Sequence, residues 1–465
     1  MPTNTASPPD LDIRRRWILF VLLGAGFMLS VDFSILNVAL PEVGAGVGLG
    51  LTGLPWITAA YALPAAGFTL LFGRMADLFG RRRLFLSGLV LLTGSSLLGG
   101  FASNPEMLLA ARALQGFATA MTIPAALSLL TTTFAEGAVR NRILGLNGAL
   151  LSGGFTVGAL VGGTLVGLLN WRAAFFINVP VAVVMLVLTP LLIRESSVPG
   201  RVKLDLPGAV TGTAGLLTVI YAVIEKHAPS AVAGIVLLAA FWVIELRSTV
   251  PLAPVRILRK ATVKWGNYAG FVVFTMETAM IFLTTLYLQK VLGLTPMITG
   301  LIFGIPGLAA VVAGVLAGRL IGRFGSRKVL VVGMTVQGLA TFPLVFLGAD
   351  RLALAILIPA LFIGFFGHVT SIVAYTVTGT SGLANEEQGL ATGLTSMTQQ
   401  VAITVGIPVL SSVAATQSAE LPGIHLALGV DVAVTLVSAA VIWFGLRPSD
   451  EHRTSLAAVA VAARD

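Results

Sequence analysis

The chain has 465 residues, 56% of them hydrophobic and only 11% charged, with a mean hydropathy of +0.95. A water-exposed domain carries about 25% charged residues, so most of this chain must be solvated by lipid. The net charge of +9 does not point to nucleic acid, since the positive residues lie in short segments between apolar runs; zero cysteines exclude disulfide and thiolate chemistry, and four histidines show no metal-ligand spacing.

Residues 1–16 are polar and end in Arg14, Arg15 and Arg16. The first apolar run, 17–40, is too long for a secretory signal and lacks a clear cleavage site, so it predicts a membrane helix. Further helices are expected at about 55–72, 84–102, 105–134, 143–168 and 173–193. The segment 194–264 is polar at both ends but holds two more apolar runs, about 206–224 and 231–246. Six runs follow, at about 265–289, 299–320, 329–347, 352–377, 390–416 and 426–446, before a polar tail at 447–465. These runs are continuously apolar, whereas the strands of a membrane barrel alternate apolar and polar residues.

One charged segment occurs twice. Residues 73–83 read GRMADLFGRRR, and residues 318–328 read GRLIGRFGSRK, a constant offset of 245. Gly73, Arg74, Gly80, Arg82 and Arg83 align with Gly318, Arg319, Gly325, Arg327 and Lys328. A charged hairpin between hydrophobic helices, once per half, implies a duplicated membrane protein. With both termini inside, about 24 of the 29 Lys and Arg fall on the cytoplasmic side. About four (Arg172, Lys226, Lys290, Arg351) fall outside, and Arg112 lies within a helix. That bias fits fourteen helices with cytoplasmic ends. The expected fold is an all-α integral membrane protein with six-helix bundles at 17–193 and 265–446. Residues 194–264 form a linker carrying an inserted two-helix hairpin.

Asp32 lies inside the first helix, in SVDFSILNVALP. Acids at membrane depth cost several kcal/mol and are functional by default, although a purely structural, hydrogen-bonded acid is the plain alternative. Arg112, in RALQGFATAM, is the expected partner. Asp32 is nine residues from Pro41, about 13 Å, and Arg112 seven from Pro105, about 10 Å, which gives similar depths. The alternative for Arg112 is snorkelling to the outer interface. Burial opposes charge on Asp32 and Arg112 supports it, so separating them changes proton occupancy. Glu277 stands at Asp32 plus 245, in FVVFTMETAMIF, and the counterpart of Arg112 at that offset is Leu357. Glu277 therefore has no evident cationic partner, and is expected to be neutral until a cationic substrate approaches. Gln399, Gln400 and His368 are further candidate cavity residues, though ordinary helix packing explains each as simply. No phosphate-binding loop is visible, so a proton gradient is the expected energy source and no cofactor is expected.

The charged segment resembles the cytoplasmic loop signature of the major facilitator superfamily. The first helix resembles the LD-x-TIVNVALP pattern of its fourteen-helix drug:proton antiporters, with Asp32, Asn37, Val38, Ala39, Leu40 and Pro41 matching. The fourth helix resembles the family's RxxxG motif through Arg112, Gln115 and Gly116. The fifth, LLSGGFTVGALVGGTLVG, resembles the glycine-rich antiporter motif, with Gly154, Gly158, Gly162 and Gly163 as a packing face. WRAAFFINVP at 171–180 resembles the start of that family's sixth helix.

The resemblance implies a secondary active exporter of hydrophobic or cationic drugs and metabolites in exchange for protons. Asp32 and Arg112 would couple protons, while Glu277, Asn37, Gln115, His368, Gln399 and Gln400 would contact substrate. Gly73, Asp77, Gly80, Arg81 and Arg82 would govern conformational exchange, although Gly322 stands where a second acid is expected. The expected partners are small molecules, protons and the lipid bilayer, with the chain a monomer in the cell membrane. Ala159 replaces the motif's usual proline, which leaves an importer or uniporter of a small solute as the alternative. An enzyme would show clustered catalytic residues at one membrane face, and a sensor a sizeable soluble domain; neither is present.

Overall fold

The computed structural model describes residues 12–50, 53–134, 138–196, 205–248, 251, 255–381, 383 and 385–446. All regular structure among them is helical. In chain order the helices are α1 (Ile13–Val47), α2 (Leu54–Phe79), α3 (Arg81–Gly100), α4 (Pro105–Thr133) and α5 (Ala138–Leu168). Then come α6 (Ala173–Phe176), α7 (Asn178–Leu192), α8 (Leu206–Ile224), α9 (Ala228–Arg247) and α10 (Ala261–Leu286). The last five are α11 (Pro296–Phe324), α12 (Ser326–Thr341), α13 (Leu354–Thr380), α14 (Asn385–Ala414) and α15 (Glu420–Gly445). Twelve helices among the described residues are long and apolar enough to cross a membrane. Large apolar side chains such as Leu191, Val311 and Phe444 are exposed on the outer faces, as expected where the surrounding medium is hydrocarbon. This is a multi-pass membrane protein.

Helices α1 to α7 pack mainly among themselves, and so do α10 to α15. The two groups meet where α5 lies against α11 and α2 against α14. Helices α8 and α9 pair with each other, and α8 rests on α2 and α14.

Three local features differ from the expectation. The first is that residues 73–79 form the last two turns of α2 rather than a loop. The chain reverses at Gly80 alone, whose φ of 104° is left-handed, and α3 begins at Arg81. Gly325 repeats this between α11 and α12 at φ 84°, so the two aligned glycines make the same turn. Second, α1 does not stop at Pro41 but continues to Val47, ending at Gly48 with φ 81°. Pro41 removes one intrahelical hydrogen bond, yet Ile35 to Pro41 and Val43 are buried against other helices, and that packing carries the helix through. Third, the sixth apolar run is interrupted at Ile177, and α7 starts afresh at Asn178.

Candidate polar sites and the facilitator family

A buried polar network occupies the first group of helices. Arg112 is 1% exposed and Asp32 is completely buried, yet they come from α4 and α1. An Arg112 terminal nitrogen stands 3.5 Å from Asp32 Oδ2 and donates at 2.7 Å to Gln115 Oε1. Arg112 Nε donates to the Ile57 carbonyl of α2 at 3.2 Å, and the guanidinium lies 4.3 Å from the Tyr61 ring centroid. The Tyr61 hydroxyl in turn pairs with Thr119 at 2.9 Å. Asn178, at the start of α7, donates its side-chain amide to Asp32 Oδ1. Ser96 of α3 accepts from Gln115 at 3.0 Å and from Asn178 at 3.4 Å. An arginine cannot be neutralised by losing a proton, so each of these acceptors offsets part of the cost of burying it.

The Asp32–Arg112 pairing agrees with the sequence, but the depth argument behind it does not. Because α1 runs on to Val47, Asp32 sits fifteen residues, about 22 Å, from the helix end rather than nine. Gln115 is fully buried and bonded on both sides, which makes it part of this network. Asn178 and Ser96 were not singled out from the sequence. Asn178 lies within the quoted 171–180 segment, but nothing local distinguishes it from a helix-starting asparagine. Asn37 is buried, donates to the Phe33 carbonyl at 3.1 Å, and leaves Oδ1 without a hydrogen-bond partner.

A second buried polar cluster occupies the other group. Glu277 of α10 is 4% exposed and accepts from Gln337 Nε2 of α12 at 3.3 Å. His368 Nδ1 of α13 stands 3.6 Å from the same Glu277 oxygen, a contact longer than a hydrogen bond. A basic side chain thus stands beside Glu277, from eleven residues beyond Leu357 rather than from the aligned position. The His368 ring is held edge-on by Phe274, with centroids 5.7 Å apart. Asp431 of α15 is also buried in this group of helices. Gln337 and Asp431 had no sequence signal. Gln399 and Gln400 lie half-buried on α14, outside both clusters.

At the α2–α3 turn, the segment leaving α7 docks on the start of α3. Glu195 accepts from the backbone amides of Arg82 and Arg83 at 3.0 and 3.1 Å, so its carboxylate caps that helix from outside. The Arg81 amide donates to the Ser196 carbonyl, and the Arg82 guanidinium to the Ile193 carbonyl. A side chain at Gly80 would collide with the Glu195 carboxylate. Gly73 faces Pro124 of α4 across ordinary van der Waals distance. Asp77 belongs to α2, but its side chain lies outside the described residues.

The glycine face of α5 splits in two. Gly154, Gly158 and Gly162 press on α1, at Phe27 and Ser30, Val31 and Ser34, and Ile35. Gly163 instead meets Pro296 and Gly300 of α11, across the junction between the two groups.

Comparison with known proteins identifies the family. The family model described as the Major Facilitator Superfamily matches residues 22–407. The chain belongs to this superfamily. This facilitator is 33% identical over 472 residues to the puromycin resistance protein pur8 of Streptomyces alboniger, covering 95% of this chain and 93% of that one. It is 36% identical over 443 residues to the cephamycin export protein CmcT of Amycolatopsis lactamdurans, covering 90% of each. The crystal structure of the nucleoside transporter NupG matches 92% of this chain with a TM-score of 0.67 at 9% identity, a likeness of fold alone.

Proposed function

We propose that this protein is a secondary active exporter of hydrophobic or cationic small molecules, antibiotics or their biosynthetic relatives, driven by exchange for protons. The observation that carries the reading is the buried Asp32–Arg112 pair, completed by Gln115, Ser96 and Asn178. A carboxylate at that depth is expensive to keep charged and Arg112 cannot release its proton, so Asp32 is the group able to change charge. Drug-resistance and antibiotic-export relatives covering nearly the whole chain supply the substrate class and the direction.

In this reading the twelve apolar helices, with α2 and α5, make fourteen spans. The first six and last six spans are the repeated bundles, α8 and α9 are an inserted hairpin, and both ends are cytoplasmic. The α2–α3 turn, with Asp77 and Glu195, serves conformational exchange. Gln115 belongs to proton coupling rather than to substrate contact. Asn37, Gln399 and Gln400 remain the candidate substrate contacts, and the chain acts as a monomer.

The test is a drug-susceptibility panel in an efflux-deficient host, including puromycin, with Asp32→Asn beside the wild type. The expected result is resistance to at least one compound that Asp32→Asn abolishes while membrane expression is kept. Undiminished uphill efflux by Asp32→Asn would move the proton route elsewhere, and no resistance to any compound would remove the drug-export reading.

A further inference from the structure

We propose that a cavity at the outer ends of α2, α8, α10, α14 and α15 binds the carboxylate of an amphiphilic organic anion through Lys226 and Lys290. This adds an anionic solute class to the exporter reading. The outward position of the cavity rests on the topology proposed above; its chemistry does not.

The first ground is the cavity itself. Its volume is about 430 Å³, within the range of about 300–1,000 Å³ usual for small-molecule sites. It lies where all three parts of the chain meet: Pro55 comes from the first group of helices, Ile224 and Lys226 from the α8–α9 pair, and Phe282, Lys290 and Ile424 from the second group. Pro55 stands at the start of α2 and Gly80 beyond its other end, so the cavity is at the face opposite the Gly80 and Gly325 reversals. Its buried lining is apolar, as at Phe282 and Ile424, whereas its exposed lining carries Gln417, Ser418 and both lysines.

The second ground is charge. In the fourteen-span topology about four Lys or Arg side chains face outward, and two of them line this one cavity. Orientation in a membrane favours basic residues inside, so it does not explain a pair gathered outside. Neither ammonium has a hydrogen bond or ion pair with another described residue. Two lysines against one acid, Glu420, leave the described lining net positive. Ammonium groups above an apolar wall suit a carboxylate carried on an apolar body, whereas a small hydrated anion would leave that wall unmatched.

The third ground is the backbone that presents the lysines. Lys226 has φ 53°, the only positive φ of a non-glycine among the described residues. An L residue stays in that region only where its surroundings impose it. Here Trp56 Nε1 of α2 donates to Glu225 Oε1 at 3.1 Å, and the Ser412 hydroxyl of α14 donates to the Val223 carbonyl at 2.9 Å, which pins the turn from two sides. Lys290 stands on a π-turn, Tyr287–Val291, where the Leu292 amide donates to the Tyr287 carbonyl five residues back. Such turns are rare and gather at functional sites. This one is held by the Tyr287 hydroxyl donating to the Gly348 carbonyl at 2.6 Å and by the Gln289 side-chain amide donating to the Val38 carbonyl of α1 at 2.8 Å. Both lysines are therefore presented from fixed, irregular backbone on separate elements.

The experiment is saturation-transfer NMR on the full chain in phosphatidylcholine nanodiscs. Naphthaleneacetate and naphthaleneacetamide are the matched probes, and protein-free nanodiscs are the blank. The carboxylate should bind, and the neutral amide should bind at least about fivefold more weakly. Lys226→Gln and Lys290→Gln should each raise the Kd of the carboxylate about fivefold, the effect of one opposite charge at about 4 Å in water. Lys226→Arg and Lys290→Arg should keep most of the affinity, and thermal unfolding checks that each variant is folded. Glu420→Gln should lower the Kd, a direction that loss of packing would not produce. Equal affinity for the carboxylate and the amide, or an unchanged Kd in the double lysine variant, overturns the proposal. So does loss of probe binding when phosphatidylglycerol replaces phosphatidylcholine, which would assign the lysines to a lipid headgroup. Probe binding without resistance in the drug panel would reject only the exporter reading, and resistance without probe binding only this site.

Discussion

The two roles of the α5 glycines yield a sharp prediction. In Gly163→Ala the new Cβ would lie 2.5 Å from the Pro296 carbonyl oxygen and 2.9 Å from Gly300 Cα, both backbone atoms of α11. Neither can rotate away, so α5 and α11 must part by several tenths of an ångström. Overpacking of this kind costs about 1–3 kcal/mol. Because the clash exists only where the two helix groups touch, that cost falls on this arrangement alone. It should shift the balance away from it about 5- to 150-fold. Gly158→Ala is the matched control. Its Cβ would come within 2.6 Å of the Val31 carbonyl oxygen and 2.9 Å of Val31 Cα, a clash of the same severity inside one group. Helices α1 and α5 belong to the same group, so this variant should lose thermal stability without redistributing conformations. Spin labels on cysteines introduced at Leu168 and Ile298, into a chain with no cysteine of its own, report the separation across the junction. A longer distance population in Gly163→Ala, absent in Gly158→Ala, is expected. Identical distance distributions for the two variants would refute the division of the glycine face.

Arg112→Lys should lower efflux at least tenfold with expression intact, because one ammonium cannot reach the Ile57 carbonyl, Gln115 and Asp32 as the planar group does; dye efflux in everted vesicles measures it, and a near wild-type rate would contradict it. Glu195→Ala removes the acceptor for the Arg82 and Arg83 amides and should cost about 1 kcal/mol in thermal unfolding. Glu195→Ala and Asp77→Ala should both slow turnover of every substrate by a similar factor, and loss of one drug class alone would argue against a conformational role. A cysteine at Val198 should react with an impermeant reagent only after the cells are permeabilised; labelling in intact cells would break the fourteen-span topology.

The sequence by itself determined the solvent of this chain and most of its helices. Continuously apolar runs of about twenty residues form helices in hydrocarbon, so spans such as 206–224 coincide with Leu206–Ile224. The 245-residue offset was equally legible: Gly80 and Gly325 are aligned in sequence and make the same left-handed reversal. Helix ends were less legible, because a proline read as a stop at Pro41 is carried inside α1 by the helices packed around it. The partners of each buried acid were partly out of reach. Asp32 with Arg112 could be inferred because both are charged and so conspicuous in an apolar run. Asn178, Ser96 and Gln337 became partners only through packing, since they are distant in sequence and carry no local pattern. For Glu277 the repeat offset pointed to Leu357, and the structure brought His368 instead. A repeat preserves which helices face one another, whereas which turn of each helix carries the polar side chain is decided by helix rotation and depth, and those exist only once the bundle has packed.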